Sequence, residues 1–150
     1  MMQLCLRYTK NESDAREVLN TGFLKVFQNI QWYNPERASL YTWIRTIVVH
    51  SSLDFLKING GLEPHCELEE VEAIEVDAEA INRLEAAQIL HSIRRLSPSL
   101  QAVFNLYVME GYNHKEIGQL LNISEGTSKW HLSEARKKLQ QMITSEEVKL

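Results

Sequence analysis

The sequence has little of what most catalytic and metal-binding sites are built from. It contains two cysteines, Cys5 and Cys66, which form no metal or redox motif and which we expect to be reduced thiols in the cytoplasm. Its five histidines show no paired metal spacing, and no glycine-rich nucleotide-binding loop is present. These absences predict a protein that is not an enzyme and that needs no cofactor and no metal.

Long hydrophobic runs are also missing. No apolar run approaches the ~20 residues that cross a bilayer, and the apolar part of the first ten residues is too short for a signal peptide. The hydrophobic content of 44% is ordinary for a soluble protein. We therefore expect a cytoplasmic protein without membrane insertion.

The formal net charge of -4 is distributed unevenly along the chain. Residues 58–90 hold nine acidic residues and one basic residue, whereas the segments before and after them each carry a small net positive charge. The acidity is therefore concentrated in the middle, and both flanking segments remain able to approach a nucleic acid.

The spacing of apolar residues predicts an all-α fold of two small helical domains joined by an acidic linker. The domains are predicted at 1–59 and 78–150, with the linker at 60–77. A first long helix would bury Ala15, Val18, Leu19, Gly22, Phe23, Val26, Phe27 and Ile30, and the next one Leu40, Trp43, Ile44, Ile47 and Phe55. Asp77 would cap a helix that runs to about Leu96.

The C-terminal domain contains a predicted helix-turn-helix over residues 113–142. Asn113 and Ser124 can cap its two helices, and Asn122, at the turn, tolerates the left-handed region. Gly118 lies in the middle of the first helix, where it costs about 1 kcal/mol relative to alanine. That cost indicates close contact with the crossing helix.

The second helix of this motif has two distinct faces. Its inward stripe would be Ser128, Leu132, Ala135, Leu139 and Met142, and its outer face would hold Lys129, Trp130, Ser133, Arg136 and Lys137. Lysine and arginine suit phosphates and guanine, and amides near Gly126 and Thr127 can hold a phosphate at the helix start. An ordinary amphipathic helix with a basic solvated face would show the same spacing.

The chain resembles a known family in two separate places. The string LSPSLQAVFNLYVMEGYNHKEIGQLLNISEGTSKWHLSEARKKL, residues 96–139, is similar to the fourth region of bacterial sigma-70 family factors of the extracytoplasmic-function group. The strings DAREVLNTGFLKVFQNI (14–30) and LYTWIRTIVVHSSLDFLK (40–57) resemble the second region of the same group. This region normally begins with most of another helix, so the resemblance predicts a chain that lacks the start of its first domain.

The resemblance implies a transcription initiation factor that binds core RNA polymerase and directs it to promoter DNA, with an anti-sigma protein as a further partner. It implies −35 recognition by Thr127, Lys129, Trp130, Ser133, Arg136 and Lys137. It implies −10 recognition by Trp32, Tyr33, Asn34, Tyr41, Arg45 and His50. Polymerase binding would fall to Glu17, Asn20, Thr21, Leu24, Lys25 and Gln28.

Core packing is an alternative role for Trp32 and Tyr33, and for Trp43 it is the preferred one. Two other functions also fit the sequence. One is a sigma-like interaction protein that binds polymerase or an anti-sigma factor without opening promoters. The other is a plain helix-turn-helix regulator in which residues 1–57 form a dimerisation or sensor domain.

Overall fold

A computed structural model of the chain describes residues 1–60 and 86–147. The chain divides into two compact units, residues 1–61 and 62–150. The first unit contains α1 (Met2–Leu6), α2 (Glu12–Asn29), a 3₁₀ turn (Ile30–Trp32) and α3 (Leu40–Gly60). The second contains α4 (Ala86–Arg95), α5 (Pro98–Phe104), a π-helical turn (Asn105–Met109), α6 (His114–Leu121) and α7 (Glu125–Glu147). The predicted all-α fold is confirmed.

Two predictions fall largely on residues that the structure does not describe. The acidic linker at 60–77 and the cap at Asp77 lie outside the described residues, except that Gly60 is the last residue of α3. The helix predicted to reach Leu96 is described from Ala86 onward and ends at Arg95.

The core of the first unit forms where α1, α2 and α3 pack together. Asn11 begins α2 because its side-chain oxygen accepts the Asp14 backbone N–H at 2.8 Å. Gly22 lets α2 approach α3 closely, since a Cβ there would lie 3.1 Å from Cγ2 of Val48. The buried apolar residues of this unit are Leu4, Cys5, Tyr8, Ala15, Val18, Val26, Val48, Val49, Leu53 and Leu56.

Three residues predicted to lie in this core are exposed instead. Phe27 is 73% exposed, Ile30 is 49% exposed and Leu40 is 45% exposed. Phe27 follows the buried Val26 directly, and one residue turns a helix by about 100°, so its side chain leaves the buried stripe. Ile30 and Leu40 stand at the two ends of the connection between α2 and α3, beyond the helical overlap.

The core of the second unit forms mainly between α5 and α7 and between α6 and α7. The predicted inward stripe of α7 is confirmed, with Ser128, Leu132, Ala135 and Leu139 buried and Met142 packed against the core. His131 is also buried, which the spacing did not predict. The buried apolar residues are Ile93, Leu96, Leu100, Ala102, Val103, Leu106, Ile117, Leu121, Leu132, Ala135 and Leu139.

The helix-turn-helix forms as predicted, with a well-defined start and turn. Asn113 and Glu116 form a reciprocal capping box at the start of α6, with both hydrogen bonds between 2.8 and 2.9 Å. Asn122 ends α6 in the left-handed conformation, at φ 56°. Ser124 then caps α7, because its hydroxyl accepts the Thr127 backbone N–H at 2.9 Å.

Gly118 is needed at the turn itself rather than at the crossing helix. A Cβ at this position would lie 2.8 Å from the carbonyl oxygen of Ile123, which is too close for any real side chain. The Gly118 carbonyl also accepts the Ile123 backbone N–H at 3.0 Å. The return of the chain after α6 therefore passes directly over this glycine.

We predict that Gly118→Ala destabilises the second unit by roughly 1–3 kcal/mol, since the clash with the turn outweighs the gain in helix propensity. Urea unfolding followed by circular dichroism would measure this. Gly126→Ala, at an exposed position in the first turn of α7, is the matched control and should leave stability equal or slightly higher. Equal stability of Gly118→Ala and the wild type would contradict the prediction.

Candidate nucleic-acid and polymerase interfaces

The outer face of α7 carries most of the predicted −35 residues in accessible positions. Lys129 and Lys137 are exposed, and Thr127, Trp130 and Arg136 are half-buried. Lys129 forms an ion pair with Glu125 at 2.8 Å, and both side chains are largely exposed. Such surface pairs contribute little stability, so a phosphate can replace the carboxylate at small cost.

Ser133 differs from the other predicted −35 residues. Its hydroxyl oxygen is buried and has no hydrogen-bond partner within the part of the chain that the structure describes. A buried hydroxyl cannot reach a base edge unless the side chain changes rotamer. Ser133 is half-buried as a residue, like Trp130 and Arg136, but its polar atom is not available at the surface.

Arg136 takes part in a small cluster formed by three elements. Its guanidinium carbon lies 5.9 Å from the centre of the Tyr107 ring, in the π-helical turn. The Tyr107 ring stacks on His114, the first residue of α6, with ring centres 4.6 Å apart. His114 in turn places Nδ1 3.0 Å from the hydroxyl of the buried Ser128. We refer to Tyr107, His114, Ser128 and Arg136 as the flank cluster.

The spacing of Leu100, Val103 and Tyr107 along the sequence predicts that Tyr107 packs in the core, and the structure corrects this. Its side chain is 37% exposed. The π-helical turn is closed by the Glu110 N–H, which donates to the Asn105 carbonyl at 3.0 Å, and a π turn adds one residue to the helical repeat. This addition changes which side chains point inward, so Leu106 is buried and Tyr107 faces outward.

The flank cluster disfavours a charged histidine. Partial burial lowers the pKa of His114 from its ordinary 6.5, Lys129 lowers it further, Glu125 opposes this effect, and Arg136 adds to the lowering. The neutral ring can accept from or donate to Ser128, depending on its tautomer. The lowered pKa of His114 favours its neutral form.

In the first unit, the segment after α2 has one exposed aromatic side chain, Trp32, and one that packs against α3, Tyr33. Trp32 is 75% exposed. Tyr33 is half-buried, with its ring centre 5.4 Å from that of Trp43, and its hydroxyl donates to the Ala38 carbonyl at 3.2 Å. Trp32 is therefore accessible to a ligand, whereas Tyr33 and Trp43 pack against each other.

The other predicted −10 residues are spread over the loop and α3. Asn34 is exposed, and its side-chain oxygen accepts the Glu36 backbone N–H at 2.8 Å. Tyr41 is 64% exposed, and Arg45 is half-buried. Partial desolvation lowers the pKa of His50, Asp54 raises it, and Lys25 and Lys57 lower it. Trp32 and Tyr41 are thus the accessible aromatic residues of this predicted set.

The predicted polymerase-binding face of α2 is accessible along its length. Glu17, Asn20, Thr21 and Gln28 are exposed, and Leu24 is 57% exposed. Lys25 is instead tied to α3 by an ion pair with Asp54 at 2.9 Å. Two apolar residues predicted to be buried, Phe27 and Ile30, are exposed beside this face. Phe27 lies three residues after Leu24 and neighbours it on the helix surface, and Ile30 in turn lies three residues after Phe27.

Within residues 1–60 and 86–147, no group of three or more potential metal ligands is found. In the same part of the chain, no helix is both long enough and apolar enough to cross a bilayer.

Comparison with known protein families matches both units. The model of sigma-70 region 2 matches residues 1–60, and the model of sigma-70 region 4 matches residues 86–139. The chain belongs to the sigma-70 family of RNA polymerase sigma factors. The match over residues 1–60 also replaces the alternative in which this unit is the dimerisation or sensor domain of a plain helix-turn-helix regulator.

Three individual relatives are RNA polymerase sigma factors, and two of them are named as belonging to the extracytoplasmic-function (ECF) type. The chain is 26% identical to the ECF RNA polymerase sigma factor SigE of Mycolicibacterium smegmatis, over 91% of this chain and 54% of that protein. It is 22% identical to the ECF RNA polymerase sigma-E factor of Haemophilus influenzae, over 93% of this chain and 79% of that protein. It is 23% identical to the RNA polymerase sigma factor CarQ of Myxococcus xanthus, over 91% and 79%. The chain thus spans about half of the mycobacterial relative and about four fifths of the other two.

The flank cluster predicts a pH dependence of stability in the second unit. Because folding lowers the pKa of His114, the unfolded chain binds more protons between that lowered pKa and 6.5. Stability should therefore be complete above pH 6.5 and fall as the pH drops below it. We expect His114→Gln to flatten this dependence.

Native-state amide hydrogen exchange, corrected for the intrinsic pH effect, would measure it separately in each unit. The amides of α3 are the internal control, since the substitution leaves the pH response of His50 in that helix unchanged. An equal pH slope for the α6 and α7 amides in the variant and the wild type would refute the assignment.

Proposed function

We propose that this chain is an extracytoplasmic-function sigma factor that binds core RNA polymerase and directs it to promoters through both of its units. The observation that carries the proposal is the presence of sigma-70 regions 2 and 4, in that order, in one chain. This pair of regions is characteristic of transcription initiation factors that recognise promoters. In this proposal the polymerase performs the chemistry, and the present chain selects the start site.

The second unit would read the −35 element with the outer face of α7. The exposed amines of Lys129 and Lys137 can neutralise phosphates, and Arg136 can contact a phosphate or the edge of a guanine. The first-turn backbone N–H groups near Gly126 add a phosphate site at the start of the helix, whereas that of Thr127 already donates to the Ser124 hydroxyl. Trp130 offers an apolar contact, and Ser133 contributes only after a rotamer change, because its hydroxyl is buried.

The first unit would open the duplex and hold the −10 element. A base turned out of the duplex needs an aromatic surface for stacking, which is worth about 1–3 kcal/mol per base. Trp32 is the most accessible aromatic residue of the predicted set, and Tyr41 is the next. Asn34, Arg45 and His50 are proposed as polar contacts around them, and Tyr33 supports the loop through its hydrogen bond to Ala38.

The outer face of α2 is the proposed contact with polymerase. It combines the polar residues of the predicted set with an apolar strip that Leu24, Phe27 and Ile30 form. An exposed apolar strip rimmed by polar side chains is typical of a protein-binding surface. An anti-sigma protein that covers this strip or the basic face of α7 would block initiation.

A second candidate function is a sigma-like interaction protein that binds polymerase without opening promoters. The observation that favours it is the sparse basic charge at the end of α3, where Lys57 is the only basic residue of the last turn. Fewer cations mean fewer phosphate contacts and weaker retention of the −10 region.

In vitro transcription separates these two functions. Core polymerase loaded with this chain should produce run-off transcripts from a subset of genomic fragments, with thymines near −10 reactive to permanganate because the duplex is open. Core polymerase alone is the control. Stable binding of the chain to core polymerase without any transcript or reactive thymine would support the second candidate instead.

We further predict that Leu24→Ser weakens binding to core polymerase roughly tenfold or more, since burying a leucine at an interface contributes about 1.5–3 kcal/mol. Fluorescence anisotropy of the labelled chain with purified core enzyme would measure this. Ile58→Ser is the matched control, because Ile58 is 81% exposed in the same unit but lies near the end of α3. Equal losses from both substitutions would argue against α2 as the docking face.

A further inference from the structure

The flank cluster holds Arg136 beside an aromatic ring that is itself fixed in place. The Tyr107 ring projects from the π-helical turn and stacks on His114 with an angle of 23° between the rings. The centre of the ring lies 5.9 Å from the guanidinium carbon of Arg136. Three separate elements, the π-helical turn, α6 and α7, thus converge on one side of α7. Each of the three surface side chains, Tyr107, His114 and Arg136, contacts a side chain from another element.

The contact between His114 and Ser128 anchors this arrangement to the core. Ser128 is fully buried in α7, and its hydroxyl lies 3.0 Å from Nδ1 of His114, so the imidazole cannot rotate without breaking a hydrogen bond under the surface. The fixed imidazole supports one face of the Tyr107 ring. The ring therefore has a defined orientation before any ligand arrives.

We propose that Tyr107 is a positioning residue for Arg136, and that it orients the guanidinium for promoter DNA before binding. The inference rests on the proposed function, in which Arg136 contacts the −35 element. A long side chain loses conformational freedom when it binds, and a contact that already restricts the free protein reduces that loss. A guanidinium held against a ring keeps the N–H donors of its edge available for a phosphate or a guanine.

The position of Tyr107 explains why a residue of the preceding helix can act on the recognition helix. Regular α-helical geometry would continue the buried register of α5, whereas the π-helical turn places Tyr107 at the surface while Leu106 stays in the core. The turn thus directs a large aromatic ring toward α6 and α7. Its hydroxyl is not required for this role, because the ring face makes both contacts.

A double-mutant cycle with the complete holoenzyme tests the proposal. We expect Tyr107→Leu to weaken binding to a −35-containing promoter duplex by roughly fivefold, in line with a surface cation–π contact. Tyr107→Phe should bind as the wild type does, because the ring is retained. In an Arg136→Ala background, Tyr107→Leu should cause no further loss, since the side chain that it positions is gone.

Two further measurements separate positioning from a loss of structure. The thermal unfolding midpoint identifies variants that lose their fold, and the dependence of binding on salt reports the number of phosphate contacts. If Tyr107→Leu destabilises the second unit, Arg136→Lys replaces it in the comparison. That variant keeps the charge and the Tyr107 ring but lacks the planar guanidinium, so it should itself weaken binding roughly fivefold, and binding equal to the wild type would overturn the proposal.

Several outcomes would overturn the proposal. Additive losses from Tyr107→Leu and Arg136→Ala would show that the two residues act independently. A loss in Tyr107→Phe as large as that in Tyr107→Leu would assign the effect to a direct contact of the hydroxyl. Unchanged binding by Arg136→Ala in a holoenzyme that still transcribes would refute this inference while the proposed function stands.

Discussion

The geometry of the second unit depends on the close passage of the Ile123 carbonyl over Gly118. That oxygen lies only 2.8 Å from the position that a Cβ on Gly118 would take. Asn122 provides the left-handed residue that turns the chain back. These two conditions fix the direction in which α7 leaves α6. The same direction brings Ser128 within 3.0 Å of His114 and places Arg136 beside Tyr107.

In the proposed function, the two units would solve different recognition problems with different surface chemistry. The second unit offers cations and one supported guanidinium, which suit an intact duplex whose charge lies on its phosphates. The first unit offers Trp32, Phe27 and Leu24, which suit unstacked bases and an apolar protein surface. The small core of the first unit contributes to this difference, because α1 and α3 do not cover every apolar residue of the 18-residue α2.

Much of the fold could be predicted from the sequence, because caps, turns and the stripe of α7 depend on local spacing. Asn113 and Ser124 cap their helices, and Asn122 adopts the left-handed conformation at the turn, as the sequence predicts. Phe27 was predicted to be buried but is exposed, because it lies at the edge of an apolar stripe and the packing partners decide how wide the buried part is. Tyr107 was misplaced because a π-helical turn interrupts the repeat on which the prediction relied. The predicted site residues lie on the outer face of α7, on the outer face of α2, and on the loop after α2 together with α3. Burial of the Ser133 hydroxyl depends on neighbouring side chains that no spacing reveals.

The modest charge of α7 has a consequence for how the two units work together. Its outer face has few cations, and one of them already has a carboxylate partner in Glu125, so the second unit alone would hold DNA weakly. Because both units belong to one chain, binding by either raises the effective concentration of the other at the same promoter. In the proposed function, selectivity would come from the requirement that both units bind, and weak individual contacts would favour it. A strongly basic recognition helix would instead bind any duplex and would lose this requirement.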